Sequence, residues 1–156
     1  MTSRIQPFAA APEAISAMLA LSTYVSESGL EYSLQELVKI RASQINGCAN
    51  CLHMHTADAR KAGETEARIY LLSAWRESLL YTPRERAALA WTEALTLVHQ
   101  TQAPDADYEA VHALFTPKEV VDLTLLIGVI NTWNRIAVGF RVVHLNDKKG
   151  AAREAA

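Results

Sequence analysis

Cys48 and Cys51 stand three residues apart, and His55 follows four residues later, in the stretch INGCANCLHMH. On a helix turning about 100° per residue, Cys51 lies about 60° and His55 about 20° from Cys48. The three share one face with Ala59 and Ala62. His53 falls about 140° away and does not join them without a break in the helix. Two thiols at this spacing close a disulfide with little backbone movement when their side chains align. A cysteine at a helix N-terminus has its thiolate favoured by unpaired backbone N–H groups. A histidine one turn further on can accept the thiol proton, and alanines on the same face keep access open.

The elements that must position these groups are marked in the sequence. Asn46-Gly47 is a turn signal just before the first cysteine. Upstream, Ser33 and Glu36 have the spacing of a capping box opening LQELVKIRASQI. Downstream, a helix is expected from about Cys48 to Ala62, with Gly63 as terminator. If the two helices pack antiparallel, Glu36, ten residues before Asn46, comes level with His55, eight after Gly47. Glu36 therefore has two readings. Its carboxylate can reach back to the Ser33 N–H, which by itself explains a glutamate there. It can also orient His55 or relay a proton, directly or through water.

Such a group suits peroxide reduction. One thiolate attacks the peroxide and becomes a sulfenic acid, and the other cysteine condenses with it to a disulfide. The chain has no third cysteine, so an external reductant must reopen the pair. Spacing leaves the order open, because Cys48 has the better helix dipole and Cys51 lies one turn from His55. We take Cys51 as the attacking and Cys48 as the resolving cysteine. Zinc held by Cys48, Cys51, His55 and Glu36 is an alternative, although structural zinc sites usually draw ligands from two separated pairs. Ordinary buried cysteines are another.

The rest of the chain reads as further helices. One is expected around Pro12–Glu27, ended by Gly29, another over Glu66–Trp75, and a shorter one over Asp105–Leu114. Thr82, Pro83 and Glu85 form a helix start, as do Thr116, Pro117 and Glu119. In the last helix Leu123, Leu126, Ile127 and Ile130 line one face, and Val120, Val121, Leu125 and Val129 broaden it. That helix is central or packs on a second subunit, so a homo-oligomer is expected. Strand alternation is scarce, and there is no linker and no clean internal repeat. The reading is an all-α single domain over residues 1–156, with a polar, alanine-rich, frayed tail from Lys148.

Composition sets the remaining bounds. Half of the 156 residues are apolar, enough for one domain with a sizeable core. The formal net charge is -2 and the basic residues are scattered, so no nucleic-acid partner is expected. The oily run Val120–Ile130, interrupted by Asp122, is too short to span a bilayer. MTSRIQPFAAAPEA lacks the apolar core of a secretory signal. A cytoplasmic protein without a membrane partner is expected, where a CxxC pair is redox-active or metal-binding rather than a structural staple. No haem, flavin or nicotinamide motif is present, and the thiol cycle needs no cofactor. His53 reads as a surface or packing residue, Asn50 as bonding locally, Met54 and Trp75 as wall or core, Trp91 and Trp133 as packing, and Tyr81, His99, His112 and His144 as structural. Asn134 and Arg135 suit an interhelix or intersubunit polar contact.

Glu36, eleven residues, Cys48, two residues, Cys51, three residues and His55 form one pattern in ELVKIRASQINGCANCLHMHTADARKAGE. With TPRERAALAWTEALT and INTWNRIAV, it resembles the AhpD-like alkylhydroperoxidase group of the carboxymuconolactone decarboxylase superfamily over about residues 15–145. The resemblance implies an all-helical fold and a trimer or hexamer. It also implies a peroxide-attacking Cys51 with Cys48 as partner, and a proton-relay pair in Glu36 and His55. The implied substrates are organic hydroperoxides, with hydrogen peroxide a further one. An external dithiol or a lipoylated protein is the implied reductant. Some members carry a histidine just before the second cysteine, where this chain has Asn50, and His53 does not replace it. The superfamily's lactone decarboxylases generally do not rely on the cysteine pair. Alternatives are a thiol–disulfide oxidoreductase with weak peroxidase activity, a non-redox decarboxylase-like enzyme, and an oligomeric binding protein.

Overall fold

The computed structural model describes residues 2–142, and every regular element among them is a helix. In chain order these are α1 (Pro7–Ala10), α2 (Pro12–Ser26), α3 (Tyr32–Asn46), α4 (Ala49–Lys61) and α5 (Glu66–Leu71). A tight 3-10 segment, Leu72–Glu77, leads on to α6 (Pro83–Thr96), α7 (Val98–Thr101), α8 (Asp105–His112) and α9 (Pro117–Gly139). The expected all-α class is the observed one. The tail expected to fray from Lys148, and His144, lie outside the described residues.

Two of the three expected capping boxes form. Thr82 Oγ1 accepts from the Glu85 N–H at 3.2 Å, and Glu85 Oε2 accepts from the Thr82 N–H at 2.8 Å. Thr116 and Glu119 repeat this at the start of α9. The box expected at Ser33 does not form: α3 begins at Tyr32, after Glu31, with no side-chain cap. The physical reason is that the Glu36 carboxylate has charged and ring partners deeper in the fold. The helix expected over Glu66–Trp75 also breaks early. Ala74 leaves helical geometry (φ -115°, ψ 26°), and Trp75 is buried with its indole N–H donating to Glu93 at 2.9 Å. Arg86 donates to the carbonyls of Trp75 and Ser78 at 2.8 and 2.9 Å, holding the tightened turn.

Helix α3 sits in the middle and is buried on several sides, as a helix with apolar residues around its circumference must be. Leu34 and Val38 pack with Val25 of α2 and Leu123 and Leu126 of α9. Leu37 and Ile40 pack instead with Ala59, Leu72, Trp75 and Leu89. Near the end of α3, Ala42 meets Cys48, Cys51, Ile130 and Ala137. Ala59 is thus a core residue and does not keep the cysteine face open.

In α9, the four residues expected on the core face are all buried, and Val120 and Val129 join them. Val121 does not, being 57% exposed. At 23 residues α9 extends well beyond the oily run and, by length and composition alone, is long and apolar enough to cross a membrane. In the fold α9 packs against α2, α3, α6 and α8, and it buries Asp122, Asn131 and Asn134. Asp122 is satisfied there by Lys118 at 2.6 Å and the Tyr24 hydroxyl at 3.1 Å.

Candidate functional site

The site is built on the turn between α3 and α4. Gly47 ends α3 in the left-handed region, at φ 65°, where a residue without a Cβ is at ease. The Cys48 N–H donates back to the Ser43 carbonyl at 3.0 Å. Cys48 then becomes the N-cap of α4, and its sulfur accepts from the Cys51 N–H at 3.3 Å. The two cysteines form a disulfide across a Cα–Cα separation of 5.4 Å. Both are almost fully buried, against Ala42, Ile130 and Ala137.

Because the turn is so short, α4 folds back along α3, and Glu36 meets His55. Glu36 Oε2 lies 2.9 Å from His55 Nδ1, and Glu36 Oε1 accepts from Lys39 Nζ at 2.9 Å. The carboxylate side chain is only 3% exposed. Burial pushes the Glu36 carboxyl up, but the hydrogen bond from His55 and the charge of Lys39 outweigh it and hold the group below its ordinary range. An ionised carboxylate only accepts hydrogen bonds. Nδ1 of His55 is therefore the donor, and in a neutral imidazole with that tautomer Nε2 is the ring's acceptor.

Cys51 and His55 line a cavity of about 420 Å³, whose wall is otherwise mostly apolar and comes largely from α2 and α9. Lys39 and Asn50 also reach it, whereas Cys48 is not among the lining residues. Trp133 forms part of the wall, its indole N–H donating to Ser22 Oγ at 2.9 Å. Phe8 stacks against it with ring centroids 6.4 Å apart. The structure thus brings together all four residues singled out by spacing: Glu36, Cys48, Cys51 and His55. In this arrangement the sulfurs bond to each other and the imidazole bonds to the carboxylate.

The other residues fall elsewhere. His53 is exposed. Trp75 and Trp91 are buried, the latter donating to Thr124 Oγ1 at 3.0 Å. The Tyr81 hydroxyl donates to the Arg68 carbonyl, and His112 stacks on Tyr108. Asn134 makes the interhelix contact expected of it: Nδ2 donates to Ser43 Oγ at 3.0 Å, and Oδ1 accepts from Asn46 at 2.9 Å. Asn131 accepts from the same Asn46 amide at 2.9 Å, so α9 pins the turn that presents Cys48. Arg135 stays on its own helix, donating to Asn131. Three features went unread in the sequence. The part of Asn131 in the asparagine cluster and the wall position of Trp133 carry no spacing signal. Lys39 does, because three residues after Glu36 on a helix is a neighbouring position.

An all-helical protein with a cysteine pair at a helix N-terminus, beside a carboxylate–imidazole pair, is the class that fold and site define. The model of the carboxymuconolactone decarboxylase family matches residues 10–94. The uncharacterized protein YdfG of Bacillus subtilis is 45% identical over 138 residues, covering 88% of this chain and 94% of that one. A solved structure from Agrobacterium tumefaciens, of a protein of unknown function put forward as an antioxidant defence protein AhpD, is 50% identical. It superposes with a TM-score of 0.89 over 92% of this chain and 98% of its own. An uncharacterized peroxidase-related protein from Ralstonia eutropha, described as an alkylhydroperoxidase AhpD core, shares the fold at 21% identity. Its TM-score is 0.76 over 90% of this chain and 75% of that one. The chain belongs to the carboxymuconolactone decarboxylase family, in its AhpD-like branch.

Proposed function

We propose that the protein is a cysteine-based peroxidase acting on organic hydroperoxides, with Cys51 as the attacking thiol. The observation that carries this reading is that Cys51, one half of a closed disulfide, opens with His55 onto an apolar cavity while Cys48 lies behind it. His55 Nε2 takes the Cys51 thiol proton, with Glu36 holding the ring. The Cys51 thiolate attacks the terminal peroxide oxygen, the O–O bond breaks, and the alkoxide leaves and takes a proton to become an alcohol. Cys51 is now a sulfenic acid. The Cys48 thiol attacks its sulfur, water leaves, and the disulfide forms. Two electrons from an external dithiol or a lipoylated protein reopen the pair. The cavity wall, with Trp133 and Phe8, favours an alkyl or aryl substituent over hydrogen peroxide alone.

The family membership supports this reading, as does the peroxidase-related description of proteins with the same fold. The same reading includes a homo-oligomeric assembly, a trimer or hexamer. Trapping with dimedone tests the order of the cysteines. After one equivalent of cumene hydroperoxide, Cys48→Ser protein should carry the adduct on Cys51, and Cys51→Ser protein should carry none. An adduct on Cys48 in the Cys51→Ser protein would reverse the assignment. No adduct in either, together with normal closure of the wild-type pair by diamide, would leave thiol–disulfide exchange as the function.

A further inference from the structure

Glu36 has two oxygens and two partners, and only one of them, His55, has a place in the thiol chemistry above. The other, Lys39, sits one turn along α3, with its side chain 16% exposed and its ammonium 2.9 Å from Glu36 Oε1. It also lines the cavity that Cys51 and His55 face. Beyond it on the same helix, the Tyr32 ring lies under the ammonium at 5.9 Å, which holds the lysine along the helix surface. We propose that Lys39 is a positioning residue of the thiol site: it keeps the Glu36 carboxylate ionised, so that His55 stays in the tautomer that can take the Cys51 proton. This rests on the reading of Cys51 as the reactive thiol.

A carboxylate this deeply buried with a neutral imidazole as its sole partner would lose much of its reason to stay charged. Lys39 supplies a full positive charge at the opposite oxygen without competing for the one His55 uses. The groups that act on the Glu36 carboxyl are His55 of α4 and Lys39 of its own helix. Glu36 and Asp58 of α4 both act in turn on Tyr32. The charged groups between α6 and α3 pair among themselves: Glu93 accepts from Arg41 at 2.7 Å and from Arg76. The polar groups α9 presents to α3, Asn131 and Asn134, do not titrate. With Lys39 removed, Glu36 takes up a proton at higher pH, and the His55 ring loses its anchor over the same range. The loss of a cation from the cavity wall disfavours the Cys51 thiolate as well, so both effects have one sign.

The test uses the pH profile of iodoacetamide alkylation in Cys48→Ser protein, where Cys51 is the remaining thiol, so that it does not depend on peroxide chemistry. Adding Lys39→Met should move the acid limb to higher pH and lower the alkylation rate about tenfold on that limb, a part of what acid–base assistance commonly contributes. Lys39→Arg should follow the parent profile. Lys39→Gln, which keeps a donor without the charge, should behave as Lys39→Met and serves in its place if the methionine variant does not fold. Superimposed profiles for Lys39→Gln and the parent would overturn the proposal. So would a Lys39→Arg profile displaced as far as that of Lys39→Met, which would make Lys39 a packing residue. Failure of the wild type to reduce peroxide would sink the peroxidase reading and leave this readout intact.

Discussion

Glu36 is bonded through both oxygens, to His55 and to Lys39, and its charge is what both bonds depend on. Because its folded-state pKa lies below the ordinary 4.5, ionised Glu36 stabilises the native state. That contribution is present above the ordinary carboxylate value and is lost as pH falls through the lower folded value. Urea titrations of the wild type and Glu36→Gln should therefore differ near neutral pH and converge in acid. On the proposed mechanism the same variant should slow oxidation of Cys51 by cumene hydroperoxide about 10- to 100-fold in stopped flow, since it would remove the group that orients the base. An unchanged rate would confine Glu36 to a structural part. Asn50 lines the cavity beside Cys51, the side from which a histidine would join the proposed proton relay. Asn50→His should raise the Cys51 oxidation rate below neutral pH, and an unaltered pH–rate profile would remove position 50 from the relay.

At the scale of elements, the short α3–α4 turn does most to assemble the site. A glycine at φ 65° ends one helix, and the next residue caps the following one, so Glu36 and His55 are brought level by chain geometry. Nothing lies within 4 Å of a Cβ built at Gly47, so Gly47→Ala meets no clash and costs backbone strain alone. A loss of about 1 kcal/mol in urea unfolding is expected. A neutral substitution would mean the turn is held mainly by the asparagines of α9. The turn, the α4 face and the two threonine–proline boxes could be read from sequence because each rests on contacts within a few residues. The box at Ser33 misled for the same reason: local spacing fits a cap, while a partner nineteen residues away claimed the carboxylate. The break at Ala74 likewise follows from where Trp75 packs, and the asparagine cluster from a helix some 85 positions downstream. No local pattern encodes either.

At the scale of the molecule, one buried helix, α3, carries Glu36 and Lys39 and packs against the elements that supply everything else. The proposed assembly is a property of this scale. Sedimentation velocity should give a mass about three or six times the 17.2 kDa chain, and a species at the chain mass over the whole concentration range would contradict it. The central claim is that Cys48 and Cys51 are a peroxide-driven redox pair. Its most direct test is a thiol count on reduced, metal-free protein before and after a small excess of cumene hydroperoxide, with peroxide loss followed in parallel. Both free thiols should disappear for each peroxide consumed and return with a dithiol. Thiols that persist in folded protein while peroxide is unspent would contradict the account.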